Sequence, residues 1–343
     1  MHFESASYLT MNIPSSIILP LSIAAATIPV LLYIALVYWV DRYEKEPWGL
    51  LAAAFVWGAV PSVLFAYVFN TLFSLPIIFL AGEELGQTIS ASIIAPVVEE
   101  SIKGLAILGI LLLWRQEIDS PLDGIIYGGM VGLGVALVEN VYYFVNVYQE
   151  GGLEAWGLNI FVRSIVFGLN HALFSSLMGL GVAVARLSTN PVVKVTAVIG
   201  GWATAVFLHF LHNFTVLAGN LLCLVALLGD WGGLLLTLLI VIWALLQERQ
   251  WLRQYLAEEV NLGYLHSSHY LTVCSGRRRM RKQLDVLLSH GPAAYWRTVR
   301  YHQRLSELAY KKRHYSRFQD AQSQKLIETL REEIQANGGW NLT

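Results

Sequence analysis

Two adjacent glutamates and a lysine lie in a stretch of this sequence that is otherwise apolar. The stretch is APVVEESIKGLAILGILLL, residues 95–113, and the three residues are Glu99, Glu100 and Lys103. A charged residue in the middle of a membrane-spanning helix costs about 2.5–3.5 kcal/mol on insertion scales, so such residues usually serve a function. Lys103 is placed to neutralise one carboxylate at i,i+3 or i,i+4, which leaves the other for work as a general base or proton carrier. Adjacent helical residues diverge by about 100°, so we expect one glutamate to face the site while Lys103 or another helix holds its neighbour.

Three further apolar stretches carry side chains suited to acid–base chemistry. They supply Glu139 and Asn140 in VALVEN, His171 in LNHALFSS, and His209 with Asn213 in FLHFLHNF. A histidine and an asparagine at i,i+4 share a helix face, from which they can orient a substrate and stabilise a developing oxyanion. A metal is the alternative for this segment, because His209 and His212 lie at i,i+3.

The composition places these residues in a membrane protein with a polar tail. Of 343 residues, 55% are hydrophobic and 14% are charged, against about 25% charged in an average soluble domain. Residues 1–247 contain 7 Lys and Arg against 15 Asp and Glu, whereas residues 248–343 contain 16 against 9. We therefore expect a transmembrane body over 1–247 and a basic, helical C-terminal extension over 248–343.

The apolar runs predict an all-α polytopic membrane protein. A bilayer core is crossed by about 20 apolar helical residues, and seven runs reach that length. They cover about 17–40, 49–72, 88–113, 124–148, 159–185, 195–217 and 221–246. Between the second and third lies SLPIIFLAGEELGQ, which we expect to form an interfacial or re-entrant segment, with Pro76 preventing one continuous helix.

The loops predict the orientation of the chain. Basic residues occur in alternate connections, at Arg42, Lys45, Arg115, Arg186 and Lys194, whereas the remaining connections contain no Lys or Arg. The positive-inside rule therefore places the N-terminus outside and the C-terminal tail in the cytoplasm of a multi-pass protein of the cell membrane.

These spans bring the polar residues to one depth. Measured from the outer end of each helix, the glutamate pair, Glu139, His171 and His209 lie roughly 12–18 Å below the outer surface at 1.5 Å per residue.

We interpret Arg163, in the fifth span, as a structural partner of an acidic residue or an interface anchor. Gly124, Gly128 and Gly132 recur every four residues and predict a smooth face for close helix contact.

The ordered set of motifs resembles the PrsW family of intramembrane proteases, which is related more distantly to the CAAX-prenyl proteases. The motifs are DRYEKEP, EESIK, VALVEN, LNHALFSS and LHFLHN, and the resemblance covers about residues 35–246. It assigns the paired glutamates of the family to Glu99 and Glu100 with Lys103, the second-motif glutamate to Glu139, and the histidines to His171 and to His209 with Asn213. Val135 departs from the phenylalanine that usually begins the second motif.

The resemblance implies hydrolysis of peptide bonds within the membrane. Glu99 or Glu100 would deprotonate a water molecule with help from His171 or Glu139, and His209 with Asn213 would stabilise the oxyanion. It also implies membrane-protein substrates, with single-pass proteins favoured. We favour a reaction without a metal or other cofactor. Zinc is the alternative, and its ligands would come from Glu99, Glu100, His171 and His209.

Two other classes of function fit the same residues. A non-catalytic membrane scaffold or chaperone would tolerate alanine at Glu99, Glu100 and His209, and a proton-coupled transporter would relay protons through them. For the tail we expect a helical bundle whose cluster at 277–282 faces anionic lipid headgroups. We expect no nucleic-acid partner, because acidic residues return toward the C-terminus.

Overall fold

The described part of the chain is helical. A computed structural model describes residues 14–219 and 221–338, and these ranges contain α-helices and no strand. The N-terminal residues 1–13, which the sequence places outside the cell, are not among them. The helices are α1 (Ser15–Val40), α2 (Trp48–Trp57), α3 (Val63–Ala81), α4 (Glu83–Ile89), α5 (Ala95–Leu113), α6 (Pro121–Phe161), α7 (Asn170–Leu187), α8 (Pro191–Ala218), α9 (Leu222–Asn261), α10 (Ser267–Val273), α11 (Gly276–Phe318) and α12 (Ala321–Gly338). Short π-helical turns join α2 to α3, α4 to α5 and α6 to α7, at Gly58–Ser62, Ser90–Ile94 and Val162–Val166.

The helices confirm an all-α polytopic membrane protein. Within the described residues, five helical segments are long and apolar enough to cross a membrane: Ser16–Val40, Trp48–Ala81, Pro121–Leu187, Pro191–Ala218 and Leu222–Asn261. The third of these has 67 residues and contains both the fourth and the fifth predicted span. Helix α5 carries three charged residues and is not among the five, so the total of seven spans stays a prediction.

The break between the second and third predicted spans lies at Gly82. Helix α3 continues through Pro76 as far as Ala81, so the interruption predicted at Pro76 is wrong. Transmembrane helices tolerate proline where neighbouring groups satisfy the freed backbone carbonyl. Gly82 has φ 85° and ψ 166°, a conformation that side chains with a Cβ rarely adopt. Helix α4 then folds back so closely that a Cβ on Gly86 would lie 2.5 Å from Cα of Ile78.

The smooth face predicted on the fourth span is confirmed, and it packs against α7. A Cβ atom added to Gly124, Gly128 or Gly132 would lie 2.1–2.2 Å from a backbone oxygen of α7. The oxygens belong to Gly179, Ser175 and His171 respectively, so the two helices run antiparallel in contact. Close backbone approach of this kind is the usual role of small residues spaced by four in membrane helices. It sets the height of His171 relative to α6.

Other close contacts hold the helices that carry the remaining polar groups. Helix α8 approaches α7 where a Cβ on Gly181 would lie 3.0 Å from Cα of Gly201. Helix α5 contacts α7 where a Cβ on Gly104 would meet the Met178 side chain at 2.9 Å. The Trp57 indole donates a hydrogen bond to the Ile102 carbonyl at 3.1 Å, which ties α2 to α5.

The contacts divide the chain into two compact units. Among the described residues, the first unit comprises those up to 237 except 38–46 and 119–122. The second comprises those two segments with the described residues from 238 onward. The division falls inside α9, and the predicted domain boundary at 247 stays a prediction.

The second unit has its own apolar core and buried ion pairs. Its core includes Leu252, Leu256, Leu305, Leu308 and Leu330. The Glu259 carboxylate accepts hydrogen bonds from Lys312 and Arg331. Helix α11 breaks at Gly291, where φ is 79°, so it consists of two helical segments.

Substituting one glycine of the α6–α7 contact tests this packing. We expect Gly128→Ala to lower the free energy of unfolding by about 1–3 kcal/mol, because the new methyl group overlaps the Ser175 carbonyl. Gly157→Ala is the matched control, since no atom lies within 4 Å of its added Cβ. Thermal unfolding in detergent compares the two. A Gly128→Ala variant as stable as the control would contradict the contact.

Candidate functional site

One cavity of the first unit brings the predicted polar residues together. Its volume is about 520 Å³. The predicted site residues in its wall are Glu99, Glu139, Asn140, His171, His209 and Asn213. They come from α5, α6, α7 and α8, so four helices supply the wall. The π-helical turns at Ser90–Ile94 and Val162–Val166 also contribute residues to it, and such turns often occur at functional sites.

The two adjacent glutamates have different environments. Glu100 is fully buried, and its Oε1 accepts hydrogen bonds from the Lys103 ammonium and, at 2.7 Å, from Nδ1 of His209. Glu99 lines the cavity instead, and its Oε1 accepts a hydrogen bond of 3.4 Å from the Asn70 amide. Its Oε2 has no hydrogen-bond partner among the described residues and lies 3.9 Å from Nε2 of His209. Glu100 is therefore the glutamate that Lys103 and His209 fix in place, and Glu99 is the one that faces the cavity.

Glu139 and His171 form a second pair in the same wall. His171 Nε2 donates to Oε2 of Glu139 at 3.0 Å. The Arg163 guanidinium donates to the same oxygen at 3.2 Å and, through Nε, to Oδ1 of Asn140 at 2.9 Å. Arg163 is thus the structural partner of an acidic residue that the sequence predicted, and Asn140 helps to hold it.

Glu99, His171 and His209 lie close enough together to hold a metal ion. One ligand atom from each lies within 4.8 Å of the others. His209 uses Nδ1 to contact Glu100, and His171 uses Nε2 to contact Glu139. The other nitrogen of His171 is buried without a hydrogen-bond partner among the described residues. Glu100 was included in the predicted ligand set, but it is not in this group.

The chemistry of these donors fits zinc. Catalytic zinc sites often have two histidines and one carboxylate, with an open position for water. Metal-binding histidines usually donate their second ring N–H to a carboxylate, which fixes the tautomer. Both histidines here have that outer contact, to Glu100 and Glu139, and the orphaned oxygen of Glu99 supplies the carboxylate.

Asn213 has a structural contact in addition to its place in the cavity wall. Its Nδ2 donates a hydrogen bond of 2.9 Å to the Ala91 carbonyl, which ties α8 to the π-helical turn before α5. A primary amide has a second N–H, and that group is available to a substrate oxygen. The predicted contribution to an oxyanion site stays a prediction.

Several polar residues of this region were missed by sequence reasoning. Asn70 contacts Glu99, while Asp230 and Asn170 contact His212. Asp230 could have been found, because it is a lone carboxylate in the apolar run LCLVALLGDWGGLLL and intramembrane carboxylates are functional candidates. Asn70 gives a weaker signal, since a single amide in an apolar helix has many uses.

Comparison with known proteins gives one family. Residues 46–246 match the model of the PrsW family intramembrane metalloproteases. Protease PrsW of Geobacillus kaustophilus is 26% identical over 196 residues, which are 57% of this chain and 80% of the relative. Protease PrsW of Clostridioides difficile is 30% identical over 166 residues, covering 48% and 66%. The Bacillus subtilis Protease PrsW is 29% identical over 168 residues, covering 49% and 70%. No solved structure matches.

The buried pair of Glu100 and Lys103 leads to a test of stability. We expect Lys103→Met to lower the free energy of unfolding by about 3–5 kcal/mol, because it leaves a buried carboxylate without its cation. The double variant Lys103→Met with Glu100→Gln should recover much of that loss, since no charge then remains unpaired. Denaturant unfolding in detergent measures both. Equal stability of the single variant and the wild type would show that Lys103 does not neutralise Glu100.

Proposed function

Because the chain belongs to the PrsW family of intramembrane proteases, we propose that it hydrolyses peptide bonds of membrane proteins at the cavity beside Glu99. The observation that carries the proposal is the approach of Glu99, His171 and His209 to within 4.8 Å of one another. A volume of about 520 Å³ is within the usual range of about 300–1,000 Å³ for binding pockets, so a short unwound peptide segment fits it.

We assign the metal-dependent form of the reaction to this cavity. Glu99 Oε2, His171 Nδ1 and His209 Nε2 would hold a zinc ion. Bound there, zinc would supply Lewis acidity toward a peptide carbonyl and toward water. The support is the pair of outer contacts from Glu100 and Glu139, because they leave one nitrogen of each histidine free for a metal. The free nitrogen of His209 lies 3.9 Å from Glu99 Oε2.

The surrounding residues have separate tasks in this proposal. Glu100 accepts the Nδ1 proton of His209 and thereby keeps the Nε2 lone pair free. Glu139 does the same for His171 through Nε2. About a quarter of the Glu139 side chain is exposed, so Glu139 is also the carboxylate left in the wall to accept a proton from the attacking water. Asn213 donates its second amide N–H to the oxygen of the carbonyl under attack.

The metal-free reaction favoured by the sequence assigns Glu99 a different task. Glu99 would act as the general base, because its Oε2 has no hydrogen-bond partner among the described residues. His209 with Asn213 would then stabilise the oxyanion, which requires a proton on His209 Nε2 in addition to the one directed at Glu100. Glu100 has no direct part in either form, because it is fully buried and does not line the cavity.

The substrate and the orientation belong to the same proposal. A peptide bond inside a helix is shielded by its hydrogen bonds, so a single-pass protein whose helix unwinds locally is the favoured substrate. The distribution of basic loops supports an outside N-terminus and a cytoplasmic tail.

The tail is proposed to contact anionic lipid headgroups. Arg277, Arg278 and Arg281 are exposed and available for this contact. Arg279 belonged to the predicted lipid-facing cluster but is buried, where it donates hydrogen bonds to the Tyr43 carbonyl and to Oγ of Ser306. We propose no nucleic-acid partner for the tail.

Removing the Glu99 carboxylate tests the proposed protease activity. We expect Glu99→Gln to reduce cleavage of a single-pass substrate by about 10²–10⁴-fold, because the amide is a poor base and a poor zinc ligand. Glu84→Gln, an exposed glutamate of α4, is the matched control and should retain wild-type cleavage. The assay uses purified protein in lipid vesicles with mass spectrometry of the fragments. Undiminished cleavage by Glu99→Gln would place the reaction at a different site, and no cleavage by the wild type would favour a scaffold.

Metal content separates the two forms of the reaction. We expect about one zinc ion per chain in the wild type, with binding reduced in the Glu99→Gln and His171→Ala variants because each lacks one of three ligands. Elemental analysis after dialysis against a chelator measures the ion, and readdition of zinc should restore cleavage. Full cleavage by metal-depleted protein would instead favour Glu99 as the general base.

A further inference from the structure

A second polar cluster lies beside the proposed centre and has no part in the reaction as described so far. Oδ2 of Asp230 accepts a hydrogen bond of 2.6 Å from Nδ1 of His212 and one of 2.8 Å from the Asn170 amide. Asp230 is buried in α9, whereas His212 is on α8 and Asn170 begins α7. The cluster therefore joins three helices of the first unit.

The cluster reaches the cavity through His212. Both His212 and Asn170 line the same cavity as Glu99, His171 and His209. The Phe167 ring packs edge-on against the His212 ring, with 4.9 Å between centroids. Because Nδ1 of His212 is committed to Asp230, the free ring nitrogen is Nε2, on the opposite edge of the imidazole.

A tether between helices does not explain this arrangement by itself. A carboxylate in an apolar helix costs about 2.5–3.5 kcal/mol on insertion scales, and hydrogen bonds among uncharged groups would join α7, α8 and α9 at a lower cost. A tether also requires no accessible group, yet 18% of the His212 side chain is exposed while Asp230 is almost fully buried. A histidine oriented by a buried carboxylate is a recurring acid–base arrangement in hydrolases.

Peptide hydrolysis requires a proton donor for the leaving amine as well as a proton acceptor for the attacking water. The attacking water loses a proton, and the nitrogen of the leaving amine must gain one as the C–N bond breaks. His171 and His209 have their N–H groups directed at Glu139 and Glu100. In the metal-dependent form their other nitrogens are ligands. His212 is the remaining histidine of the cavity wall.

We infer that His212 is the catalytic residue that protonates the leaving amine, with Asp230 as its positioning residue; this rests on the proposed protease function. The electron pair of the C–N bond stays on nitrogen and takes the Nε2 proton of the His212 imidazolium. The Nδ1 proton stays in the hydrogen bond to Asp230. The proton that the carboxylate base takes from the attacking water passes through water in the cavity to Nε2. The sum is one peptide bond and one water giving an acid and an amine.

The test compares an amide with an ester at the same scissile position. Two synthetic single-pass peptides, identical except for that bond, are supplied in lipid vesicles to the zinc-loaded full chain. We expect His212→Gln to lower kcat for the amide by about 100-fold, with a much smaller effect on the ester, because an alkoxide leaves with less help from a proton donor. Asp230→Asn should change the ratio of amide to ester cleavage in the same direction.

Thr237→Ala provides the control, because it removes another buried polar group of α9 that does not line the cavity. It should leave the ratio of amide to ester cleavage at the wild-type value. Thermal unfolding of each variant verifies folding, and Asp230→Asn decides the case if His212→Gln is unfolded.

The outcomes separate this inference from the proposed function. An equal loss on both substrates, or undiminished amide cleavage by folded His212→Gln, would overturn the role of His212 and leave the protease intact. Failure of the wild type to cleave either peptide would overturn the proposed function and the inference with it.

Discussion

The site depends on one constraint, which is that the buried charge of the Glu100 carboxylate must be neutralised and hydrogen-bonded by the protein. Lipid offers no hydrogen bonds to a charged group, so the protein must supply them. Lys103 comes from the next turn of α5, whereas His209 comes from α8. The second contact fixes the rotation of α8 about its axis. With Nδ1 of His209 on Glu100, its Nε2 lies 3.9 Å from Oε2 of Glu99. A buried charge with a structural role thereby orients a residue of the cavity.

The glycine face of α6 has a comparable effect on the opposite wall. Gly132 brings the backbone of α6 against the carbonyl of His171, and Glu139 follows two turns later. At this separation the His171 ring reaches Glu139 directly, and Arg163 approaches the same oxygen. A larger residue at Gly132 would overlap the His171 carbonyl and force the two helices apart. The small residues therefore control a polar contact in which they take no part.

The sequence predicted the elements and most of the polar residues, but not their contacts. Apolar length identified the helices, and the cost of charge in lipid identified Glu99, Glu100, Glu139, His171 and His209. The rotation of each helix about its axis depends on its packing against other helices. The sequence therefore could not show which of Glu99 and Glu100 faces the cavity. The same holds for Asn213, whose amide contacts Ala91. The break at Gly82 was misplaced at Pro76 because proline is a strong local signal, whereas the backbone conformation at a glycine depends on the return of α4 against α3.

The hydrogen bonds of the two histidines explain why residue types alone did not decide between a metal-dependent and a metal-free reaction. Each imidazole has one nitrogen on a glutamate, Glu100 or Glu139. The same contacts would orient a hydrogen-bond donor in a metal-free reaction or a lone pair in a zinc site. The difference lies in Glu99, whose free oxygen is near His209 Nε2. A general base that acts alone needs only access to water, but a metal ligand needs further ligand atoms that can reach the same ion. The approach of three such atoms to within 4.8 Å meets the second and more demanding condition, and this is why we favour the metal.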